Sequence, residues 1–309
     1  MFSISVGNLS AGGTGKTPFI SYLINQFDNK HIGVLSRGYG RKTNGYLEVK
    51  NSSTPKTVGD EIYMLFEKHK SNAKFFVCEN RKKGVQNLLE KYPETEIILL
   101  DDAFQHRGVE PTVQILLSRL DKPFFNDYLI PAGRLREARN GAKRADVIIC
   151  TKTKGLTFEI ETFFENGISS YKKKKTPLYF TSQVFGNPSN PFGETLKIGE
   201  NVNVLSGLAD NQLFVKQISR DFQVVKKYLF PDHYAYKKAE LLDFLSNEPI
   251  VTTEKDFVKI KYLLSEENYR WYYIQKLEIK FEKDEDQFLT SIKKEFKRFQ
   301  EKKGSLNIG

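Results

Sequence analysis

The chain has 309 residues, 39% hydrophobic and 28% charged, long enough for two domains and too apolar to be wholly disordered. Its two cysteines, Cys78 and Cys150, exclude a disulfide scaffold. Lys and Arg outnumber Asp and Glu by 48 to 38, a net charge of +10, which calls for nucleic acid, an anionic membrane surface or a phosphorylated substrate as partner.

No apolar run reaches the ~20 residues of a membrane-crossing helix. The opening residues Met1 to Asn8 lack the charged and apolar regions of a signal peptide.

The first half alternates β-branched runs with helical segments. Phe2 to Val6 predicts a strand, followed by a glycine-rich turn and a helix from Lys16 to Phe27. His31 to Ser36 and Phe75 to Glu79 read as strands, with a helix over Arg81 to Lys91. Glu96 to Leu100, Val113 to Leu117 and Asp146 to Cys150 are apolar without alternation, the pattern of strands buried on both faces. The rhythm predicts an α/β fold, a P-loop NTPase-like doubly wound sheet with helices on both faces.

From Tyr171 the texture changes to a basic run, then Pro177, Asn187-Pro188 and Asn190-Pro191, which read as turns and linker. Alternation then resumes. Val202–Ser206, Gln223–Tyr228 and Ile250–Thr253 predict strands, and Asn211–Arg220 and Lys237–Leu245 predict helices. Residues 1-175 are expected to form the first domain and 176-309 a second, smaller α/β domain that contributes to the active-site cleft. Phe288, Leu289, Ile292, Phe296 and Phe299 recur at helical spacing over Asp286–Lys303. That stripe reads as core packing, with the helix folding back on the first domain. Phe124-Phe125, Phe163-Phe164 and Tyr272-Tyr273 are candidates for an acyl-chain surface and read first as core.

Ser10-Ala11-Gly12-Gly13-Thr14-Gly15-Lys16-Thr17 lies between a strand and a helix, as a phosphate-binding loop requires. Glycines let backbone N–H groups curl around phosphate oxygens at the positive end of the following helix. Lys16 would reach the β- and γ-phosphates and Thr17 a Mg²⁺ ion. Ser10 stands where the strict pattern wants glycine. Asp101 and Asp102 end a buried strand, where such enzymes hold Mg²⁺; the spacing does not choose between them. Thr151-Lys152-Thr153-Lys154 lacks the carboxylate of a guanine-reading motif. These features fit a kinase, a kinase of a soluble sugar or metabolite included, or a nucleotide-dependent switch ATPase. A kinase acting on an alcohol needs a base; Asp60 and Asp232-His233 are candidates. Arg134, Arg136, Arg139, Lys143 and Arg144 form a basic cluster suited to phosphate.

Taken together, the blocks resemble the tetraacyldisaccharide 4′-kinase (lipid A 4′-kinase) family, in order from Val6 to Asp256. They are Val6-Gly7-Asn8-Leu9-Ser10 through Lys16-Thr17-Pro18, Leu35-Ser36-Arg37-Gly38-Tyr39 and Gly59-Asp60-Glu61. Asp101-Asp102-Ala103-Phe104-Gln105-His106-Arg107 and Pro131-Ala132-Gly133-Arg134-Leu135-Arg136-Glu137 follow, then Phe230-Pro231-Asp232-His233-Tyr234 and Thr253-Glu254-Lys255-Asp256. Ser10 is usual in that family.

The resemblance implies transfer of phosphate from ATP, with Mg²⁺, to the 4′-hydroxyl of an acylated glucosamine disaccharide 1-phosphate. Ser10, Gly12, Gly13, Thr14, Gly15, Lys16 and Thr17 would hold ATP, and Thr17, Asp101 and Asp102 the metal. Asp60 would be the base, paired with His233 from the second domain. Arg136 and Glu137 would lie near the transferring phosphate, and Gln105 at a further active-site position. It also implies a monomer at an anionic membrane surface, on the cytoplasmic face of the inner membrane of a Gram-negative bacterium, with no nucleic-acid partner. Family members carry a hydrophobic or amphipathic segment before the Val-Gly-Asn strand, and this sequence starts almost at that strand. The basic surface is therefore the expected means of reaching a lipid substrate.

Overall fold

A computed structural model describes residues 1–106, 108–245 and 247–306. Arg107, the last residue of one motif block, lies outside them. The first half contains β1 (Phe2–Gly7), α1 (Lys16–Gln26), β2 (Ile32–Ser36), β3 (Leu47–Glu48), α2 (Pro55–Val58) and α3 (Asp60–His69). Then come β4 (Ala73–Val77), α4 (Arg81–Lys91), β5 (Ile97–Asp101), β6 (Val113–Arg119), β7 (Val147–Thr151) and α5 (Phe158–Ile168). The second half contains β8 (Leu178–Phe185), β9 (Asn201–Ser206), α6 (Asn211–Ile218), β10 (Gln223–Leu229), α7 (Lys238–Asp243) and β11 (Ile250–Thr253). The chain closes with α8 (Glu254–Leu263), β12 (Tyr272–Gln275), β13 (Leu277–Phe281) and α9 (Glu285–Leu306).

The strands form two sheets. A nine-stranded sheet runs β13-β8-β7-β6-β1-β5-β2-β4-β3, and a four-stranded sheet runs β10-β9-β11-β12. The seven inner strands of the large sheet are parallel; β13 and β3 are antiparallel edges. The small sheet is parallel throughout. β1 sits between β5 and β6, so the loop after β1 and the carboxylates ending β5 emerge side by side. Ile97 to Leu100 are fully buried, as an apolar run between two helical layers demands.

Local signals set the element ends. Thr54 and Thr57 form a reciprocal capping box at α2, and Asn80 caps α4 through Lys83 N–H. Gly59 has φ 100°, and a Cβ there would come within 2.9 Å of the Tyr39 carbonyl, so glycine turns the chain sharply into α3.

The segment read as linker contains β8, whose strand residues follow Pro177 directly. Its sequence, LYFTSQVF, does not alternate, and turn residues stand on either side. The expected boundary at 175/176 precedes this strand of the large sheet. The chain crosses to the small sheet after Phe185 and returns at Lys276, and the two crossings are bonded to each other, Gly186 N–H to the Lys276 carbonyl at 3.3 Å. The short strands β12 and β13 have no counterpart in the sequence reading, nor does α5. Helix α9 packs against the large sheet. Phe288 lies fully buried among Phe281, Tyr179 and Phe19, with ring centroids 5.0, 5.4 and 6.0 Å away. Phe124, Phe125, Phe164 and Tyr272 are core residues, whereas Phe163 is half exposed.

The aromatic cluster around α9 makes one prediction. Phe288→Ala removes a ring from a dry core and should cost about 3–5 kcal/mol. Thermal unfolding should show a midpoint lower by several degrees, and an unchanged midpoint would contradict this packing.

Candidate active site

The loop after β1 is open on its inner face. Gly12 and Gly15 have φ 102° and 91°, and a Cβ at Gly12, Gly13 or Gly15 would meet nothing within 4 Å. Helix α1 begins without a side-chain cap and without an acidic residue in its first turn. Its N-terminal amides and dipole are thereby left for an anion. The loop is held from behind. Ala11 N–H donates to the Arg134 carbonyl at 2.7 Å, Arg136 N–H to the Leu9 carbonyl at 2.8 Å, and the Thr151 hydroxyl to the Thr14 carbonyl at 2.9 Å. Lys16 Nζ donates to Asn8 Oδ1 at 3.1 Å and lies 3.6 Å from Asp102. Thr17 sits beside it, half-buried in the first turn of α1.

Asp101 and Asp102 are neighbours in unlike environments. Asp101 is buried; Ser36 Oγ donates to its Oδ2 at 3.0 Å, while its Oδ1 has no hydrogen-bond partner. Burial first, and the charge of Asp102 second, push its pKa up to about 6, against the pull of Lys16, Ser36 and Arg81. Asp102 adopts φ 47° and receives both arms of the Arg136 guanidinium, at 2.7 and 2.9 Å. Burial also presses its carboxyl upward, but the Arg136 bonds and the Lys16 charge hold it below the ordinary carboxylate value.

Arg136 also donates to the Asn8 carbonyl at 2.9 Å and to Asn8 Oδ1. Gln105 Nε2 donates to the same carbonyl at 2.7 Å and to Glu137 Oε1 at 3.0 Å. Glu137 in turn accepts from Arg144 at 2.7 and 2.8 Å. The structure thus joins Lys16, Asp102, Gln105, Arg136 and Glu137 into one network. The basic segment is less open to phosphate than its composition implies. Arg134 pairs with Asp127, Arg139 donates to the Asp127 carbonyl, and Arg144 is taken by Glu137; Lys143 is exposed.

Asp60 and His233 bring residues of the two sheets together. His233 Nδ1 lies 3.2 Å from Asp60 Oδ2. Asp60 is the first residue of α3; His233 stands after β10 with φ 61°, its N–H donating to Asp232 Oδ1 at 3.0 Å. The Tyr39 ring, largely exposed, faces His233 at 5.9 Å.

Three participants carry no role in the sequence reading. Asn8 bridges Lys16, Arg136 and Gln105. Arg81 is buried at the start of α4 and donates to the Cys78 and Asp101 carbonyls at 2.5 and 3.0 Å. A cation at a helix N-terminus opposes the dipole, and that misplacement is its sequence signal. Lys259 lies 3.3 Å from Asp60 Oδ2; it falls one turn beyond the Thr253–Asp256 block, on the same helix face as Asp256. Among the described residues, no group of three or more His, Cys, Asp or Glu side chains forms a metal cage.

Known proteins are similar to this chain along most of its length. The family described as tetraacyldisaccharide-1-P 4'-kinase matches residues 2–297. The tetraacyldisaccharide 4'-kinase of Cytophaga hutchinsonii is 38% identical over 300 residues, covering 94% of this chain and 84% of that protein. The protein of the same name from Flavobacterium psychrophilum is 37% identical over 292 residues, covering 92% and 84%. The crystal structure of LpxK from Aquifex aeolicus, in complex with ATP, superposes with a TM-score of 0.75 at 28% identity, covering 96% of this chain and 89% of that one. Because the match runs from the first strand into the last helix, no sheet is left outside it, and this chain belongs to the tetraacyldisaccharide-1-P 4'-kinase family.

Proposed function

We propose that this kinase transfers the γ-phosphoryl group of ATP to the 4′-hydroxyl of an acylated glucosamine disaccharide 1-phosphate, with Asp60 as the base. The observation that carries the reading is the 3.2 Å contact of Asp60 Oδ2 with His233 Nδ1, made between residues of the two sheets. It supplies a carboxylate oriented by an imidazole, which a nucleotide switch would not need.

The donor side uses the loop from Ser10 to Thr17. Its open glycines Gly12, Gly13 and Gly15, with Thr14 and the uncapped start of α1, cradle the phosphates, and Lys16 neutralises charge on them. The residues present fit a magnesium ion. Asp101 Oδ1 is a buried acceptor without a partner, and Thr17 offers a hydroxyl nearby in the loop. Mg²⁺ takes few protein ligands beside phosphate oxygens, so the Asp101 carboxylate and the Thr17 hydroxyl suffice. Asp101 would hold it directly, and Asp102, both of whose oxygens bond Arg136, would add its negative charge beside it. Such an ion would supply positive charge to offset the charge that develops on the phosphates during transfer. Arg136, Glu137 and Gln105 keep the loop end, the Asp102 carboxylate and Asn8 in register for transfer.

On the acceptor side, Asp60 takes the proton of the attacking hydroxyl. His233 fixes the carboxylate through its other oxygen. We propose two lobes: residues 1–185 with 277–306 around the large sheet, and 186–276 around the small one. Motion of the two about Gly186 and Lys276 would admit substrates, and the closed arrangement, in which Asp60 meets His233, would exclude water.

Among the described residues, no helix is long and apolar enough to cross a membrane. Tyr128, Leu129 and Ile130 are 66%, 50% and 56% exposed at a loop tip whose base pairs with the phosphate loop through Arg134 and Leu135. Arg134 and Arg139 at its base are held by Asp127, so the attraction proposed for a lipid surface is that of the apolar tip itself. The reading is of a monomer peripheral to the cytoplasmic leaflet in a Gram-negative cell.

Transfer of ³²P from [γ-³²P]ATP to the lipid A disaccharide 1-phosphate in detergent micelles tests the activity. Asp60→Asn and His233→Ala should each lower kcat by about 10²–10⁴-fold and leave KM for ATP nearly unchanged. Near-normal turnover in either variant would remove that residue from the mechanism.

Asp101 makes a pH prediction. Its folded pKa, about 6, exceeds the model-peptide value of 3.8, so folding favours the protonated form. The ionised group therefore costs stability in full above pH 6, and the cost fades as pH falls from 6 toward 3.8. Asp101→Asn should raise the melting midpoint of the nucleotide-free protein by a few °C at pH 7.5, much less at pH 4.5, and abolish turnover. A midpoint gain equal at both pH values would contradict the burial argument.

For the tip, Leu129→Glu with Ile130→Glu should reduce sedimentation with anionic phospholipid vesicles several-fold while KM for ATP stays put. Unchanged sedimentation would move the membrane contact elsewhere.

A further inference from the structure

We infer that Lys259 is a positioning residue that holds Asp60 for proton abstraction and makes that hold depend on the docking of α8 against α3. The inference rests on the reading of Asp60 as the base. Lys259 is only 8% exposed, and its ammonium lies 3.3 Å from Asp60 Oδ2, 3.8 Å from Asp256 Oδ1 and 3.4 Å from the Tyr234 carbonyl. Its charge also faces the Tyr236 ring at 5.8 Å. A cation this buried persists only where its partners are rigid. Asp256 is such a partner. It is fully buried and accepts from Gly207 N–H at 3.0 Å, Tyr236 Oη at 3.0 Å and Thr253 Oγ1 at 2.8 Å. The small sheet thus delivers a fixed positive charge to a carboxylate that belongs to the large one.

The geometry at Asp60 is specific. Lys259 Nζ and His233 Nδ1 converge on the same oxygen, Oδ2, and Oδ1 takes no hydrogen bond among the described residues. Two donors on one oxygen pin the carboxylate plane and leave the other oxygen for the acceptor hydroxyl. The neighbouring charges are already paired elsewhere: Lys255 contacts Asp232 at 2.8 Å and Glu61 at 3.6 Å. Lys68–Glu254 at 2.9 Å and Lys261–Glu67 at 2.6 Å continue the α3–α8 seam away from the site. Such exposed pairs contribute little individually. Lys259 differs from them by its burial and by the residue it touches.

The full-length enzyme tests this with Lys259→Met, Asp60→Asn, the double variant, and Lys261→Met as a seam control, all assayed on the lipid acceptor in micelles. Lys259→Met should lower kcat 10- to 100-fold with KM for ATP within twofold, and Lys261→Met should leave kcat within twofold. In the Asp60→Asn background the Lys259 change should cause no further loss, because its effect passes through that carboxylate. A Lys259→Met kcat within twofold of the unaltered enzyme overturns the inference. So does an equal fall in both backgrounds, or an equal fall in Lys261→Met. Normal turnover in Asp60→Asn would instead defeat the reading of Asp60 as base. Should Lys259→Met fail to fold by circular dichroism, Lys259→Gln keeps a polar head for the Tyr234 carbonyl and carries the same readout.

Discussion

A phosphate-binding loop must leave its own N–H groups unbonded, so it cannot hold itself together. In this protein the support comes from the segment after Tyr128. Arg134 and Arg136 bond the loop backbone on one side, Thr151 braces it on another, and the Arg136 side chain locks Asn8 to Asp102. The end of β1, the end of β5 and the 128–136 loop are thereby one rigid piece. Gly7 allows the close approach this requires, since a Cβ there would come within 2.5 Å of Phe104 Cβ. The apolar tip at Tyr128–Ile130 belongs to the same piece, which links the proposed membrane contact to the donor site without an intervening joint.

Charge is distributed by the same logic. Arg136 neutralises Asp102 and leaves Asp101 as the buried carboxylate with an open oxygen. Placing two acids side by side and satisfying only one is what would suit the magnesium ion proposed there. Across the cleft, Asp60, Glu61 and Glu67 of α3 face lysines of α8, and Lys68 of α3 faces Glu254 of α8. The more exposed pairs are individually weak, but together with the buried Lys259–Asp60 pair they orient one sheet against the other while leaving the two crossings at Gly186 and Lys276 narrow.

Much of the large sheet is legible in residue order. Ile97–Leu100 and Val147–Cys150 are apolar at every position, and Val113–Leu117 at all but Gln114, because both faces of the sheet are covered. The glycine loop with Lys16-Thr17 is readable because its chemistry lies within one short segment. β8 escapes notice since Pro177 and the Asn-Pro pairs around it resemble a linker. β12 and β13 are short and are separated only by Lys276, so neither builds a period long enough to see. Their assignment to different sheets depends on partners far away in sequence.

The sequence by itself determined the parallel α/β core, the phosphate loop, the paired carboxylates and the family resemblance, because each is written in contiguous residues. Only the tertiary structure decided how the acidic and basic groups are partnered. Arg134, Arg139 and Arg144 look like phosphate ligands in the sequence, and are instead engaged by Asp127 and Glu137. Lys259 carries no mark in the sequence, and the packing of α8 on α3 brings it to Asp60. Local order dictates which groups exist; charges choose their partners by distance, and distance is set by the fold.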